Sequence, residues 1–549
     1  MSTRRQWLAR AGGAAAGLAA WPAFAQNASP ARASLAALQA HLRFLASPLL
    51  EGRETGSRGF DIAAAFVASH FARLGLQPLG AEGSFAQPVL LKTAKLASTP
   101  PVLRLWRGAT AETLTYLDDF STRPDLAATH SEVTAPLVFA GFGIRAPAFG
   151  LDDYAGLDVK GRIVVVLSGR PLQLPSEEGA HYASRLTKAA LAAELGAVGM
   201  ISLATPRSEL VSPFHVARQY AGSTAMDWRD ADGQGGQDNL PLRGWASLSL
   251  QRAPALLAAL GRDYRQLVAD AEAGKPVPRG ELGLTAEMAR DSLHGDTRSA
   301  NVVGLLPGRH PERRHEVLLL TAHLDHLGRK SGPQGEVIYP GAMDNALGMA
   351  TLLETATQLA LAPGGLDRSI LVAALTGEEQ GQLGSSMLAA QPPLPAAQLM
   401  AAVNIDMPIL LHDFNEVVAL GGDHSTLGAT VARVAGDMGL KMAADPQPEQ
   451  ARFTRSDQYS FVRRGIPAVI LGPGVGSFNP QDDGAALMRD FRRLRYHQPG
   501  DDLGQPFHAA AMQRYAQLHV GLMQALATQA EAPRWVPGDF FGELFRRGR

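Results

Sequence analysis

Three short runs constrain the fold most strongly. "HEVLLLTAHLDHLG", "RSILVAALTGEE" and "AAVNIDM" are each apolar through their middle and each ends on acidic or imidazole side chains. A strand that is apolar on both faces belongs inside a sheet covered on both sides, which is the habit of parallel strands. "SANVVGLLPG" precedes these runs, "IPAVILG" follows them, and helical segments such as "ALGMATLLETATQLA" separate several of them. Alternating strands and helices predict an α/β fold, a three-layer sandwich around a mixed, mostly parallel central sheet, with ligands at the carboxyl ends of the strands. The polar residues of interest all fall at those ends.

Upstream, "SLAALQAHLRFLAS" and "GFDIAAAFVASHFARLGL" carry apolar residues at helical spacing around the glycine-bearing loop "PLLEGRETGSRG", so two helices and a loop are expected. From about residue 133 the texture changes to short β-branched runs bounded by glycine and proline, "APLVFAGFGI" and "GRIVVVLSG". These read as a compact module of their own, closed by a linker near Pro276 and Pro278. The arginine-rich end, "RWVPGDFFGELFRRGR", reads as a surface extension.

The chain has no cysteine. Disulfides, thiolate ligands and a cysteine nucleophile are therefore excluded, and a zinc ion would have to be held by His, Asp or Glu. With 51 basic and 52 acidic residues the net charge is −1, so nothing in the balance recruits nucleic acid or an anionic membrane. The first residues place Arg4 and Arg5 before an Ala/Gly-rich apolar run and Ala23-Phe24-Ala25. This resembles a twin-arginine export signal with its cleavage site. The run is too short and glycine-rich to anchor a helix in a bilayer. The expectation is use of the twin-arginine export machinery, a periplasmic or secreted protein, and no stable membrane insertion after cleavage.

The candidate chemistry sits at the strand ends. His323 and Asp325 are two apart at the end of a buried strand and project to one side. Asp325 is placed to accept the second N–H of a metal-bound His323, although for this pair taken alone a strand-end histidine beside a surface acid is the better reading. Asp344 ends a glycine turn before a helix, where it could bind cations or simply cap the helix. Glu378 and Glu379 follow an apolar strand, so one carboxylate can bind metal while its neighbour accepts a proton; a solvated acidic loop is the bland alternative. Asp406 again ends an apolar run, and His497 lies in a polar turn where a surface histidine would be unremarkable. Together, two imidazoles and three carboxylates can serve two zinc ions and leave a shared position for water, the layout of metal-assisted amide hydrolysis.

Rival motifs are missing. His315-Glu316 suggests a zincin helix, but Leu319 stands where the second histidine belongs. The sequence holds no G-x-S-x-G elbow and no P-loop ending in G-K-S/T.

"TAHLDHLG", "YPGAMDNALG", "LTGEEQGQLGS", "NIDM", "RSDQYSFVRRGIPAVIL" and "YHQPGDDL", in this order and spacing, resemble the co-catalytic di-zinc aminopeptidases of metallopeptidase family 28. "LRFLASPLLEGRETGSRG" resembles the family's amino-terminal helix and loop, and "VFAGFGIRAPAFGLDDYAGLDVKGRIVVVLSGRP" resembles a protease-associated (PA) domain. The resemblance implies a zinc exopeptidase fold divided into a signal peptide (1–25), an amino-terminal part of the peptidase domain (26–130), a β-rich PA insertion (131–285), the main peptidase domain (286–530) and a tail (531–549). It also implies that His323 and Asp406 hold one zinc, Glu379 and His497 the other, and Asp344 bridges them. Glu378 would be the general base and Asp325 would orient His323. Asp457, Tyr459 and Tyr496 would contact the peptide substrate, and a cis peptide would follow Asp344.

The sequence departs from the family pattern at three places. Met343 stands where many relatives have a further Asp, Pro408 where valine is usual, and Gln458 where histidine is common. The implied activity is hydrolysis near peptide amino termini. A non-catalytic peptide-binding protein on the same scaffold, or a glutaminyl cyclase-like enzyme, are the alternatives; both lack the full ligand set found here.

Overall fold

The structure, a computed structural model, describes residues 33–216, 220, 222–230, 232–233, 235–236, 240–332 and 335–546. The expected signal, residues 1–25, lies outside them. Helix α1 (Leu35–Leu45) buries Leu38, Leu42 and Leu45, and α2 (Arg58–Arg73) buries Phe60, Ala63, Val67 and Phe71, the three-and-four spacing of one helix face. Ser34 and Ser57 cap them by accepting the amides of Ala37 and Phe60.

Strand β1 (Ala86–Leu96) leads to a second module built on β2 (His130–Phe139), β3 (Ile163–Leu167), β4 (Gly199–Leu203) and β5 (Gly244–Leu248). These four pair in parallel in the order β2-β3-β4-β5. Helix α3 (Ser176–Ala183) follows β3. The module is thus α/β in texture rather than purely β, and it also recruits the hairpin Val102–Arg107 and Thr110–Thr113, upstream of residue 131.

The two modules share one long strand, β6 (Gly280–Leu306). Its first half pairs with β2, Asp291 facing His130, and its second half pairs with β1, Ser292 facing Leu96. Beyond it come β7 (Val317–His323), helix α4 (Leu347–Ala360), β8 (Ser369–Leu375), helix α5 (Leu383–Ala390), β9 (Leu399–Asn404), β10 (Glu416–Leu420), β11 (Ala468–Pro473), and helices α6 (Gly484–Leu494), α7 (Ala509–Thr528) and α8 (Phe540–Leu544). The main sheet runs β1-β6-β8-β7-β9-β11-β10. Its centre, β8-β7-β9-β11, is parallel, and β1, β6 and β10 supply the antiparallel flanks.

The apolar runs are continuous because both faces are covered. Leu318, Leu320 and Ala322 join the core under α1, α2, α4 and α7, whereas Val317 and Leu319 join the opposite core with Leu388 of α5. In register, His323 lies opposite Leu375, and Thr321 opposite Asn404. The carboxyl ends of β7, β8 and β9 therefore share one edge, and the residues that follow each strand converge there.

The carboxyl-terminal segment is not a surface extension. Phe541 of α8 is fully buried, with its ring 4.7 Å from that of His424 and 5.2 Å from that of Phe453. The polar counterpart of this packing is His424, whose Nε2 lies 2.7 Å from Glu177 of α3 and whose Nδ1 lies 2.6 Å from Asp539. Burial alone would lower the His424 pKa; the hydrogen bonds to Asp539 and Glu177 outweigh it and push it up to about 10. Among the described residues no helix is long and apolar enough to cross a membrane.

This triad has a defined pH signature. A folded-state pKa above the ordinary value of 6.5 contributes stability in full below about pH 6.5 and loses it as pH rises through about 10. The gap in denaturation midpoint between the wild type and His424→Gln is expected to narrow steadily from pH 6 to pH 10. A gap that stays constant with pH would show that the imidazolium is not what joins α3 to α8.

Candidate metal centre

The site begins with His323, the last residue of β7, fully buried. Its Nε2 is 3.0 Å from Asp406 Oδ1 and 3.2 Å from Asp344 Oδ1. Asp344's other oxygen, Oδ2, is 3.3 Å from His497 Nε2, which is itself 3.0 Å from Glu379 Oε2. One carboxylate thus faces two separate clusters. His323, Asp344 and Asp406 form one compact group of ligand atoms, and His326, Asp344 and Glu379 form another. Asp344 makes no side-chain cap on α4, so the helix-cap reading of this residue is discarded.

The turn that carries Asp344 is held from two directions. Arg53, in the loop between α1 and α2, is 1% exposed. Its guanidinium donates to the carbonyls of Leu324 (2.9 Å), Pro340 (2.7 Å), Gly341 (3.1 Å) and Leu45. From the opposite side the Asp501 carboxylate accepts the amides of Met343 (2.9 Å) and Asp344 (3.0 Å), and its carbonyl accepts that of Ala342. Asn345 follows a cis peptide bond after Asp344. Its Nδ2 donates to the Ile405 carbonyl and its Oδ1 accepts the Met407 amide, tying the turn to the end of β9.

Both glycines of "YPGAMDNALG" are required. Gly341 has φ +58, and a Cβ there would sit 2.1 Å from the Asp344 carbonyl oxygen; at Gly348 a Cβ would meet Asn345 Oδ1 at 1.9 Å. Met343 is fully buried in the core. It contributes packing and one amide, and the ligand set does not pass through it.

Asp325 plays a different part from the one expected. His323 Nδ1 is 3.1 Å from the Asp325 backbone carbonyl, while the nearer carboxylate oxygen is 3.9 Å away. The carbonyl, not the carboxylate, orients the imidazole. The carboxylate accepts the amides of Glu378 (3.2 Å) and Glu379 (3.3 Å) and the Thr55 hydroxyl (3.1 Å), and so fixes the two glutamates after β8.

Electrostatics separate those glutamates. Burial raises the Glu379 carboxyl, but His497 and His326 outweigh it and bring it down to about 2. Burial and the carboxylates of Asp406, Asp457 and Glu379 hold Glu378 well above its ordinary value, against the pull of His323. Two adjacent carboxyls driven apart in this way suit one to ligation and the other to proton traffic. For Asp344, hydrogen bonds from His323 and His497 overcome burial and hold it well below the usual range.

Metal fits these residues. The donors are all imidazole or carboxylate, His326 Nδ1 lies 2.6 Å from Glu379 Oε1 within one of the two ligand groups, and His326 Nε2 is buried without a hydrogen-bond partner, an arrangement suited to a bound cation. The geometry brings together all five sequence-predicted ligands and Glu378. The sequence reading passed over His326: it sits beyond the end of β7, where two-residue alternation no longer says which way a side chain points, although "TAHLDH" displayed it.

The predicted substrate contacts divide. Tyr496 stacks on His497 with ring centroids 3.8 Å apart and lines the cleft. Tyr459 also borders the cleft but is almost fully buried, with its hydroxyl 2.5 Å from His181 Nδ1 in the second module. Asp457 is fully buried, and burial pushes its carboxyl up to about 7; it touches no substrate space. Gln458 is likewise interior, accepting from Asn404 at 3.0 Å and donating to the Phe453 carbonyl at 2.6 Å, so its departure from histidine bears on strand anchoring rather than on substrate. Pro408 lies between Met407 (φ +43) and Ile409 (φ +24) in an irregular segment after Asp406. The cleft over the site, of about 1230 Å³, is walled by Glu378 and His497, by Phe149 and Tyr182 of the second module, and by Phe540 of α8. Tyr220 of the same module places its hydroxyl 3.1 Å from His497 Nδ1.

The family model for Peptidase family M28 matches residues 301–523, a span that contains every ligand named above. This part of the chain is similar to peptidase family M28. No curated protein matches it in sequence. Among solved structures it is similar to the aminopeptidase from Aneurinibacillus sp. strain AM-1, with 19% identity, 91% of this chain and 96% of that chain covered, and a TM-score of 0.53. It is also similar to BSAP, a zinc aminopeptidase from Bacillus subtilis, with 17% identity, coverage of 91% and 97%, and a TM-score of 0.42. The first likeness supports the same fold for this chain.

The buried Arg53 gives a test of how the centre is held. Arg53→Met keeps the stem and leaves the buried carbonyls of Leu45, Leu324 and Pro340 without their donor, which should cost roughly 3 kcal/mol or more, read as a fall in the chemical denaturation midpoint and in bound zinc. Arg58→Met, at the exposed start of α2, should change stability by less than about 0.5 kcal/mol.

Proposed function

We propose that this chain is an M28 peptidase, an exported zinc-dependent aminopeptidase that removes residues from peptide amino termini with two zinc ions. The observation that carries the reading is Asp344, whose two oxygens lie 3.2 Å from His323 and 3.3 Å from His497. His323 and Asp406 would hold one ion, and Glu379 and His497 the other, with His326 beside the second. The chemistry that zinc supplies when bound is polarisation of the scissile carbonyl and activation of water near neutral pH.

The chain's own residues do the rest. Glu378 is the only carboxylate of the pair that stays unligated and faces the cleft, so it takes a proton from the attacking water and delivers it to the leaving amine. Asp325 holds Glu378 in place through the amide hydrogen bond, and its carbonyl keeps His323 Nδ1 protonated and Nε2 free to ligate. The second module and α8 wall the cleft and limit water around the reacting atoms.

The amino-terminal "MSTRRQWLARAGGAAAGLAAWPAFAQ" supports export by the twin-arginine machinery to the periplasm or beyond, and the second module is read as a PA domain that holds or screens substrate.

Zinc-loaded protein is expected to carry close to two equivalents and to release amino acids from aminoacyl-anilides until a chelator is added. Glu378→Gln should keep its zinc and lose about 10²–10⁴-fold in kcat. Fully zinc-loaded wild type that turns over no peptide would instead indicate a binding protein. Cyclisation of glutamine-leading peptides without hydrolysis would indicate a cyclase.

A further inference from the structure

A second, much smaller cavity of about 50 Å³ opens beside Asp344, Glu378 and Asp406. Met407 and Ile470 give it apolar wall, and its charged lining divides between the carboxylates Asp344, Glu378 and Asp406 of the metal centre and three cations, Arg452, Arg455 and Arg492. Arg492 is fixed by its Nε, which donates to Gln447 Oε1 at 2.8 Å, while its Nη2 is buried with no hydrogen-bond partner. Arg455 is engaged only at long range, Nη1 to the Gln450 carbonyl at 3.3 Å and Nη2 to the Tyr496 hydroxyl at 3.4 Å. Burial, then the like charges of Arg452 and Arg455, bring the Arg492 pKa down to about 10.

Three guanidinium groups gathered against an unpaired buried N–H carry an electrostatic and desolvation cost that an apolar side chain in the cavity would increase. A carboxylate would remove that cost, and it would do so with the charge-assisted, forked hydrogen bonds that guanidinium favours. The position also matters. The cavity adjoins the bridging Asp344 and the base Glu378, so it receives a group carried next to the scissile carbonyl. Its size suits one carboxylate on a short stem.

Resting on the aminopeptidase reading above, we infer that Arg452, Arg455 and Arg492 form the pocket for the side chain of the substrate's first residue and select aspartate or glutamate there. The same chemistry could come from a peptide's carboxyl-terminal carboxylate, and the experiment separates the two sources.

Full-length zinc-loaded protein is assayed on matched peptide pairs that begin with Glu or Gln, and with Asp or Asn, and on leucine-leading and lysine-leading peptides. The acidic member of each pair is expected to exceed its amide by about tenfold or more in kcat/KM, mainly through KM. Arg492→Met should collapse the Glu/Gln ratio toward unity. Arg455→Glu, a change at an exposed side chain that should not disturb folding, should reverse it in favour of lysine-leading peptides. Three results would overturn the inference. The first is an active wild type that prefers neutral or basic first residues, which leaves the aminopeptidase reading standing. The second is a Glu/Gln ratio unmoved in both variants. The third is cleavage that survives amino-terminal acetylation and is lost on carboxyl-terminal amidation, which would assign the arginines to the other terminus. Inertness toward every amino-terminal residue, acidic ones included, would remove the aminopeptidase reading itself and the pocket with it.

Discussion

The Asp344 turn is the constraint on which the rest of the centre depends. Its peptide groups lie in the protein interior, where unpaired carbonyls and amides are costly, and the local chain satisfies them only in part, through the Ala346 amide on the Gly341 carbonyl. Arg53 supplies donors to the carbonyls of Pro340 and Gly341, and Asp501 supplies acceptors to the amides of Met343 and Asp344. One partner comes from before the second module and the other from just beyond His497, so the Asp344 carboxylate is positioned only once both ends of the domain have assembled around it. The same guanidinium reaches the Leu324 carbonyl just beyond β7, which couples the strand bearing His323 to the turn bearing Asp344.

The site is also a concentration of buried negative charge. Asp325, Asp344, Glu379 and Asp501 all surround Arg53 closely enough to favour its charged form, although burial brings it down to about 10. One guanidinium and a few imidazoles do not offset so many carboxylates, and Glu378 records the imbalance in a pKa held well above the ordinary value. Such a cluster is stable when cations enter it, which agrees with the donor chemistry of the two groups that share Asp344.

Much of this was legible in the sequence because of one physical fact: strands covered on both faces are apolar at every position, so the first acid or histidine after the run marks the sheet edge. His323, Glu378, Glu379 and Asp406 stand out for that reason. What long-range pairing decides was not legible. Arg53 sits in a polar loop whose composition resembles any surface turn, and Asp501 looks like one of two ordinary acids in "PGDD". The shared strand β6 reads as two segments, because its pairing partner changes between Asp291 and Ser292 while its own alternation continues unbroken. The flanking arginines of the carboxyl-terminal "DFFGELF" suggest exposure, whereas burial of Phe541 is set by rings from elsewhere in the chain.

Those rings bear on how the cleft keeps its shape. The second module meets the peptidase through the shared strand, through His181 on Tyr459, and through Glu177, which binds both His424 and the Gly421 amide. The last two contacts both start from α3, and α8 closes over them, with Asp539 on the far side of His424. A wall held by a continuous strand at one end and by a buried ionic triad at the other cannot swing about a single hinge without breaking one of them. The cleft over Glu378 and His497 is therefore bounded by a cover tied to the main sheet at both ends.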